Sequence, residues 1–91
     1  MSVTVLIPTP LRKLTNEQDT VETTAPTIAG LIQDLNQQFP GLGARLTDEN
    51  GALRRFVNIY VNEEDIRFLQ GAETPLADGD SVSIVPSIAG G

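Results

Sequence analysis

The C-terminal end of the chain is its clearest candidate for chemistry, because the sequence stops on "PSIAGG" with glycine at both Gly90 and Gly91. At average glycine usage this ending arises by chance in roughly one chain in two hundred. Glycine has no Cβ, so such a terminus can enter a narrow channel in extended form with its carboxylate uncovered. A carboxylate reacts with a nucleophile only after one oxygen becomes a good leaving group, which an acyl-adenylate made from ATP provides.

The main-chain carboxylate of Gly91 is therefore the predicted reactive group, and the residues before it form the predicted tail. A terminus that is not tied down is usually disordered. We accordingly predict a folded domain over residues 1–86 and a flexible tail over residues 87–91. The tail consists of Ser87, Ile88, Ala89, Gly90 and Gly91.

Cysteine and histidine are both absent from the 91 residues. Without cysteine the chain has no disulfide, no thiolate metal site and no thiol to carry a sulfur or acyl group. Without histidine it lacks the commonest general base and the commonest metal ligand. These absences argue against most hydrolytic and metal-dependent chemistry by this chain alone, and we expect it to bind no metal or cofactor.

Three charged stretches have both a chemical and a plain structural interpretation. "DGD" at residues 78–80 suits a cation site, but a turn needs the same residues and is the interpretation we favour. "NEED" at residues 62–65 holds neighbouring carboxylates, and solvated charge in a hairpin explains them more simply. Arg54 and Arg55 would suit an acidic partner or a phosphate, or they are ordinary charges beside a strand.

The length and charge of the chain limit its class. Ninety-one residues suit one small domain. The net charge of −6 and the pI of about 4.3 disfavour binding to nucleic acid or to anionic lipid. They fit basic protein partners, or solubility alone. No apolar run approaches a membrane span and no signal peptide is evident, so we expect a cytoplasmic protein.

The elements that must position the tail follow from the apolar periodicity. "SVTVLIP", "DTVETT", "FVNIYVN" and "DSVSIVP" alternate as strands do, and "EDIRFL" resembles a short partner strand. "APTIAGLIQDLNQQFPG" has one apolar helical stripe; Thr27 is placed to cap its start, and Pro40 and Gly41 end it. Residues 41–55 are predicted to be a loop-like connector with at most a helical turn at 44–46.

The order β-β-α-β-β-β with one long helix predicts an α+β domain, in which the helix covers one face of a mixed sheet of four to five strands. A parallel pairing of the first and last strands would be typical of the β-grasp, or ubiquitin-like, fold. The opposite sheet face would show four apolar side chains, which we interpret as a partner-docking patch. The alternative is that residues 41–55 fold over them. The patch comprises Leu6, Phe56, Tyr60 and Val85.

Four stretches of this chain resemble the ubiquitin-like sulfur carrier proteins of the ThiS/MoaD family, with the branch that serves cysteine biosynthesis closest. They are "SVTVLIPTPLR", "TIAGLIQDLNQQFPGL", "RFVNIYVNEEDIRF" and "LADGDSVSIVPSIAGG". The resemblance implies that an E1-like enzyme adenylates the Gly91 carboxylate with ATP, that a sulfur donor converts it to a thiocarboxylate, and that a biosynthetic enzyme accepts the sulfur. The carrier is expected to be monomeric when free.

Other functions remain open from the sequence. Cysteine is the favoured product of the pathway, followed by molybdopterin or thiazole. The same tail also suits a ubiquitin-like modifier that is conjugated through Gly91 to target lysines. A plain interaction domain with an incidental tail is a third interpretation.

Overall fold

A computed structural model of the chain describes residues 2–50, 52–54 and 57–86. The strands are β1 Val3–Leu6, β2 Thr20–Thr23, β3 Val57–Val61, β4 Glu64–Asp65 and β5 Ser81–Pro86. The helices are α1 Ile28–Gln38 and α2 Pro40–Leu46, with short 3-10 helices at Thr9–Thr15, Ile66–Phe68 and Gly71–Glu73. None of the helices in these ranges is long and apolar enough to cross a bilayer.

The five strands form one mixed sheet in the order β2-β1-β5-β3-β4. β1 and β5 run parallel side by side, and the other three pairs are antiparallel. A parallel pair needs a long crossover connection, which here contains both α-helices. The α+β architecture and the pairing of the first and last strands, which are features of a β-grasp fold, are as predicted.

The hydrophobic core lies between one sheet face and the helices. Strand alternation sends every second side chain to this face, as the sequence predicted. The strand residues with at most 7% exposure are Val3, Val5, Val21, Thr23, Ile59, Val61, Val82 and Ile84, and Ile7, directly after β1, is 2% exposed. Val57 is half-buried against the same core.

Helix α1 supplies the other wall of the core through its apolar stripe. Its buried residues are Ile28, Leu31, Ile32 and Leu35. The Thr27 hydroxyl accepts a hydrogen bond from the Gly30 N–H at 3.2 Å, which confirms the predicted cap. The helix ends at Gln38, and Phe39 packs partly buried against the core.

The prediction of a loop-like connector over residues 41–55 is wrong at residues 41–46, which belong to helix α2 and include the helical turn predicted at 44–46. Pro40 occupies its first turn, where the missing N–H has no helical partner in any case. The proline that ends α1 therefore also begins α2. Leu42 and Leu46 are both 0% exposed, so the core side of α2 is part of the hydrophobic core.

The predicted partner strand "EDIRFL" is a strand only at Glu64–Asp65. The following Ile66–Phe68 segment is a 3-10 helix. Its cause is local, because the Asp65 carboxylate accepts a hydrogen bond from the Arg67 N–H at 2.8 Å and turns the backbone. Strand β4 is consequently a short edge.

Candidate functional site

Strand β5 positions the start of the predicted tail. It is hydrogen-bonded to β1 on one side and to β3 on the other, and its last residue, Pro86, lies opposite Val57. Val82 and Ile84 are 0% and 2% exposed, so β5 is anchored in the core. Whatever follows Pro86 therefore leaves from a fixed point at one end of the sheet.

The predicted reactive residues themselves lie outside the described residues. They are Gly90 and Gly91, together with Ser87, Ile88 and Ala89 of the predicted tail. Their assignment as a tail with a reactive carboxylate, and the domain boundary after residue 86, remain predictions. The described part of the site is the end of β5 and the sheet face beside it.

The sheet face opposite the core contains a row of paired residues at the middle of β5. Leu6 of β1 and Tyr60 of β3 both lie opposite Ser83 of β5, and Tyr60 also lies opposite Asp65 of β4. Leu6 and Tyr60 are thus two strand spacings apart, about 9.5 Å. A shallow hollow of about 420 Å³ runs from Leu6 and Ser83 toward the start of β5, where Ser81, Asn62 and Glu63 line it.

Three residues of the predicted docking patch lie on this open face. Leu6 is 41% exposed, Val85 is 43% exposed and Tyr60 is half-buried. Phe56, the fourth, lies outside the described residues. The alternative, in which residues 41–55 cover the patch, disagrees with the described part of that segment, because α2 packs into the core on the other face.

A polar network lies next to the patch. The Arg67 guanidinium donates to the Asn58 Oδ1 atom and forms an ion pair with Asp65 at 3.1 Å. Asn58 pairs with Val85, one residue before the end of β5. The network thus places the Arg67 guanidinium beside Val85, the second-last residue of β5. It was not predicted from the sequence, because Arg67 was expected to lie on a strand.

The Arg67 contacts also act on the ionisation of their partner. Its side-chain hydrogen bond, followed by the bond from its N–H, lowers the pKa of Asp65 from the ordinary value of 3.8. In return, the hydrogen bond and charge of Asp65 raise the pKa of Arg67. Both side chains are therefore ionised at neutral pH, and the pair presents little net charge.

The acidic stretches at 62–65 and 78–80 form turns at the other end of the sheet. Gly79 has a φ of +89°, and Asp80 accepts the Ala77 N–H at 2.8 Å. The Asp80 carboxylate also accepts a bond from Asn62 Nδ2 at 3.0 Å, which joins the two turns. Within the described ranges, no three His, Cys, Asp or Glu side chains meet as metal ligands would.

Phe68 is an exposed aromatic residue that sequence reasoning missed. Strand alternation across "EDIRFL" places Ile66 and Phe68 on one face, which predicts that both are buried. The 3-10 helix separates them instead, since Ile66 is 3% exposed and Phe68 is 83% exposed. The only advance signal was Asp65, whose type favours turning the backbone two residues ahead.

Comparison with known proteins identifies relatives of this chain. The model of the ThiS family matches residues 5–91. The chain is 50% identical to the sulfur carrier protein CysO of Mycobacterium tuberculosis over 93 aligned residues, which cover 100% of both chains. It is 37% identical over 65 residues to small archaeal modifier protein 3 of Haloferax volcanii, covering 71% of this chain and 70% of that protein.

A solved structure extends the likeness to three dimensions. A chain of the Amycolatopsis orientalis BexX/CysO complex superposes with a TM-score of 0.89 at 45% identity. The match covers 98% of this chain and 99% of that one. The mixed five-stranded sheet and its helices are therefore a β-grasp fold, as predicted.

Proposed function

The chain belongs to the ThiS family, and from this premise we propose that it is a sulfur carrier protein. The observation that carries the proposal is the 50% identity to a CysO sulfur carrier over the full length of both chains. The reactive group is the main-chain carboxylate of Gly91, and cysteine biosynthesis is the favoured destination of the sulfur. The domain itself is a co-substrate and catalyses nothing.

The proposed chemistry has two steps, both on the Gly91 carboxylate. In an E1-like enzyme, a carboxylate oxygen attacks the α-phosphorus of ATP and pyrophosphate leaves, which gives the acyl-adenylate. A sulfide-level donor then attacks the acyl carbon and AMP leaves with the oxygen, which gives a thiocarboxylate. ATP is thus bound by the activating enzyme, and the carrier holds no cofactor.

The thiocarboxylate sulfur is the nucleophile that a sulfur-accepting biosynthetic enzyme consumes. The chain supports this role by having no cysteine, so the main-chain terminus is the place for sulfur. We propose transient complexes with the two enzymes in the cytoplasm, formed by a carrier that is monomeric when free. Neither nucleic acid nor membrane takes part.

The open sheet face is the proposed docking patch for the activating enzyme. Leu6 and Val85 are each about two-fifths exposed and lie near the end of β5 where the tail begins. An enzyme that grips these side chains would hold the carrier while residues 87–91 reach its active site. Tyr60 and Phe56 are the other members of the patch.

The first test is pyrophosphate release by the activating enzyme from the same organism, with ATP and this carrier. We expect release that depends on the carrier and is lost when Gly91 is deleted. A matched control, Gln70→Ala, changes an exposed residue in the turn that follows Phe68 and should leave release unchanged. Full activity of the Gly91 deletion would contradict the proposal.

A second candidate function is protein modification, favoured by the 37% identity to a small archaeal modifier protein. In that case the adenylated Gly91 would form an isopeptide bond to target lysines. Covalent conjugates in cell extracts that disappear on Gly91 deletion would support this function. Their absence, alongside thiocarboxylate formation, would support the carrier alone.

A further inference from the structure

Charge is separated along the strand direction of this domain. We call the end of the sheet where β5 stops, at Pro86, the tail end, and the end where β5 begins, at Ser81, the far end. β1 runs parallel to β5 and β3 runs antiparallel to it, so the tail end also contains the end of β1 and the start of β3.

Two cations reach the tail end from the 3-10 helix Thr9–Thr15, which follows β1. The Arg12 Nε atom donates to the carbonyl oxygen of Ile7 at 3.0 Å, directly after the end of β1. Lys13 is the next residue of the same helix and is exposed. Glu17 lies nearby, with its N–H bonded to the Arg12 carbonyl oxygen.

Two more cations lie at the tail end near the start of β3. The Val57 N–H donates to the Arg54 carbonyl oxygen at 3.0 Å, which places Arg54 one turn before the strand. Its guanidinium donates to the Ala44 carbonyl oxygen at 3.3 and 3.4 Å. Arg45, the neighbour of Ala44 in α2, is exposed at the same place.

Arg67 is the fifth described cation, and its bond to Asn58 places it beside Val85. All five cationic side chains in the described part of the chain therefore lie at or next to the tail end. The sixth, Arg55, lies outside the described residues.

At the far end, the charged side chains of the described residues are all carboxylates. Ser2 at the start of β1 donates from its N–H to Asp78 at 2.7 Å and from its hydroxyl to Glu22 at 2.8 Å. Glu63 lies in the turn from β3 to β4, and Glu64 is the first residue of β4. The full set is Glu22, Glu63, Glu64, Glu73, Asp78 and Asp80.

Asp34 lies close to this set as well, because its carboxylate accepts a bond from the Thr23 hydroxyl at the end of β2. The six carboxylates outside the set, Asp34 included, equal the six Lys and Arg residues in number; Glu17 and Asp19 lie at the tail end, and Asp48 and Glu49 follow α2. Among the described residues, the tail end thus has five cations against Glu17, Asp19 and Asp65, whereas the far end is strongly negative. Charge in the described part of the chain is therefore separated along the strands, with the exposed cations on the side of Pro86.

We propose that the tail end docks on an acidic surface that rims the channel mouth of the activating enzyme. This inference rests on the proposed function. An acidic rim attracts the exposed cations and repels the far end, so it turns the carrier tail-first during approach. Such steering mainly raises the rate of association, and it weakens as salt screens the charges.

Two double variants with the same net charge test the proposal. Lys13→Gln with Arg45→Gln removes two cations from the tail end, and Gln70→Glu with Ala77→Glu adds two carboxylates to exposed positions near the far end. Both carry a net charge two units more negative than the wild type. Thermal unfolding checks that both are folded.

The measurement is the KM for the carrier in pyrophosphate release, at low and at high ionic strength. At low salt we expect the tail-end variant to raise KM by at least about threefold with kcat unchanged, and the difference to vanish at high salt. The far-end variant should keep the wild-type KM.

Equal KM values for the two variants overturn the docking proposal while leaving the proposed function intact. If the wild type releases no pyrophosphate, the proposed function itself fails, and this inference with it.

Discussion

Asp80 shows how one side chain can join two turns. Its carboxylate accepts the Ala77 N–H and a bond from the Asn62 amide. These bonds, with that of Ala77 the stronger influence, lower the pKa of Asp80 from 3.8. Asn62 in turn accepts the Ser81 N–H at 3.0 Å, so the network ties the β3–β4 turn to the start of β5.

The lowered pKa predicts an acid sensitivity with a definite sign. A carboxyl group whose folded pKa lies below its unfolded value stabilises the fold above that unfolded value, near 3.8, and the contribution is lost as the pH falls through the folded pKa. Asp80→Asn should therefore flatten the pH dependence of the unfolding free energy below about pH 4. Urea titrations across pH 2–7 check this; an unchanged slope in the variant would contradict it.

Residue identity predicted some local features and not others. Thr27 was recognised as a helix cap because its hydroxyl can accept a bond from within the first turn, and the structure confirms this. The segment Ile66–Phe68 was predicted to continue a short strand and is a 3-10 helix instead. Periodicity cannot reveal a side-chain bond such as that from the Arg67 N–H to Asp65, which converts the strand into a 3-10 helix.

Helix α2 is a whole element that the sequence pattern did not predict. Pro40 was interpreted only as the end of α1, although proline is also favoured in the first turn of a helix. The glycines of α2 lowered its apparent helical propensity. Gly43 is buried and lies where α1 and α2 meet, so its role depends on a tertiary contact that the sequence does not show.

We predict that Gly43→Ala destabilises the domain by about 1–3 kcal/mol. A Cβ atom at this position would lie 2.6 Å from the Cβ atom of Asn36, which the backbone of α1 holds in place. The helices would have to move apart to relieve the overlap. Chemical denaturation measures the loss in unfolding free energy.

Gly41→Ala is the matched control in the same helix. Its added Cβ would meet only the terminal Cδ2 atom of Leu14, at 3.3 Å, and this side chain can yield. Because alanine is the better helix former, Gly41→Ala should keep or slightly raise the stability. Equal losses in the two variants would contradict a close contact specific to Gly43.

At the scale of the whole molecule, the two sheet faces have separate roles. The core face packs against the helices, and the pattern of the strands predicted its residues correctly. The sequence also predicted that Leu6, Tyr60 and Val85 lie on the other face. Alternation gives the face of each residue, whereas the charge separation between the two ends depends on strand register and was not predicted.

A double variant of the open face should weaken binding to the activating enzyme without affecting folding. Leu6→Thr with Val85→Thr places β-branched threonine at both strand positions while removing exposed apolar surface. We expect a several-fold increase in the KM for activation, with less than about 1 kcal/mol change in unfolding free energy. Thr20→Ser, on the strand beside Leu6, is the control. An unchanged KM in the double variant would contradict docking through this face.

The central claim is that the Gly91 carboxylate carries the sulfur, and intact-protein mass spectrometry with fragmentation tests it directly. The carrier is incubated with its activating enzyme, ATP and a sulfide donor. We expect a mass increase of one oxygen-to-sulfur exchange that requires ATP and maps to the C-terminal residue. An unchanged mass while the enzyme remains active, or sulfur on any other residue, would contradict it.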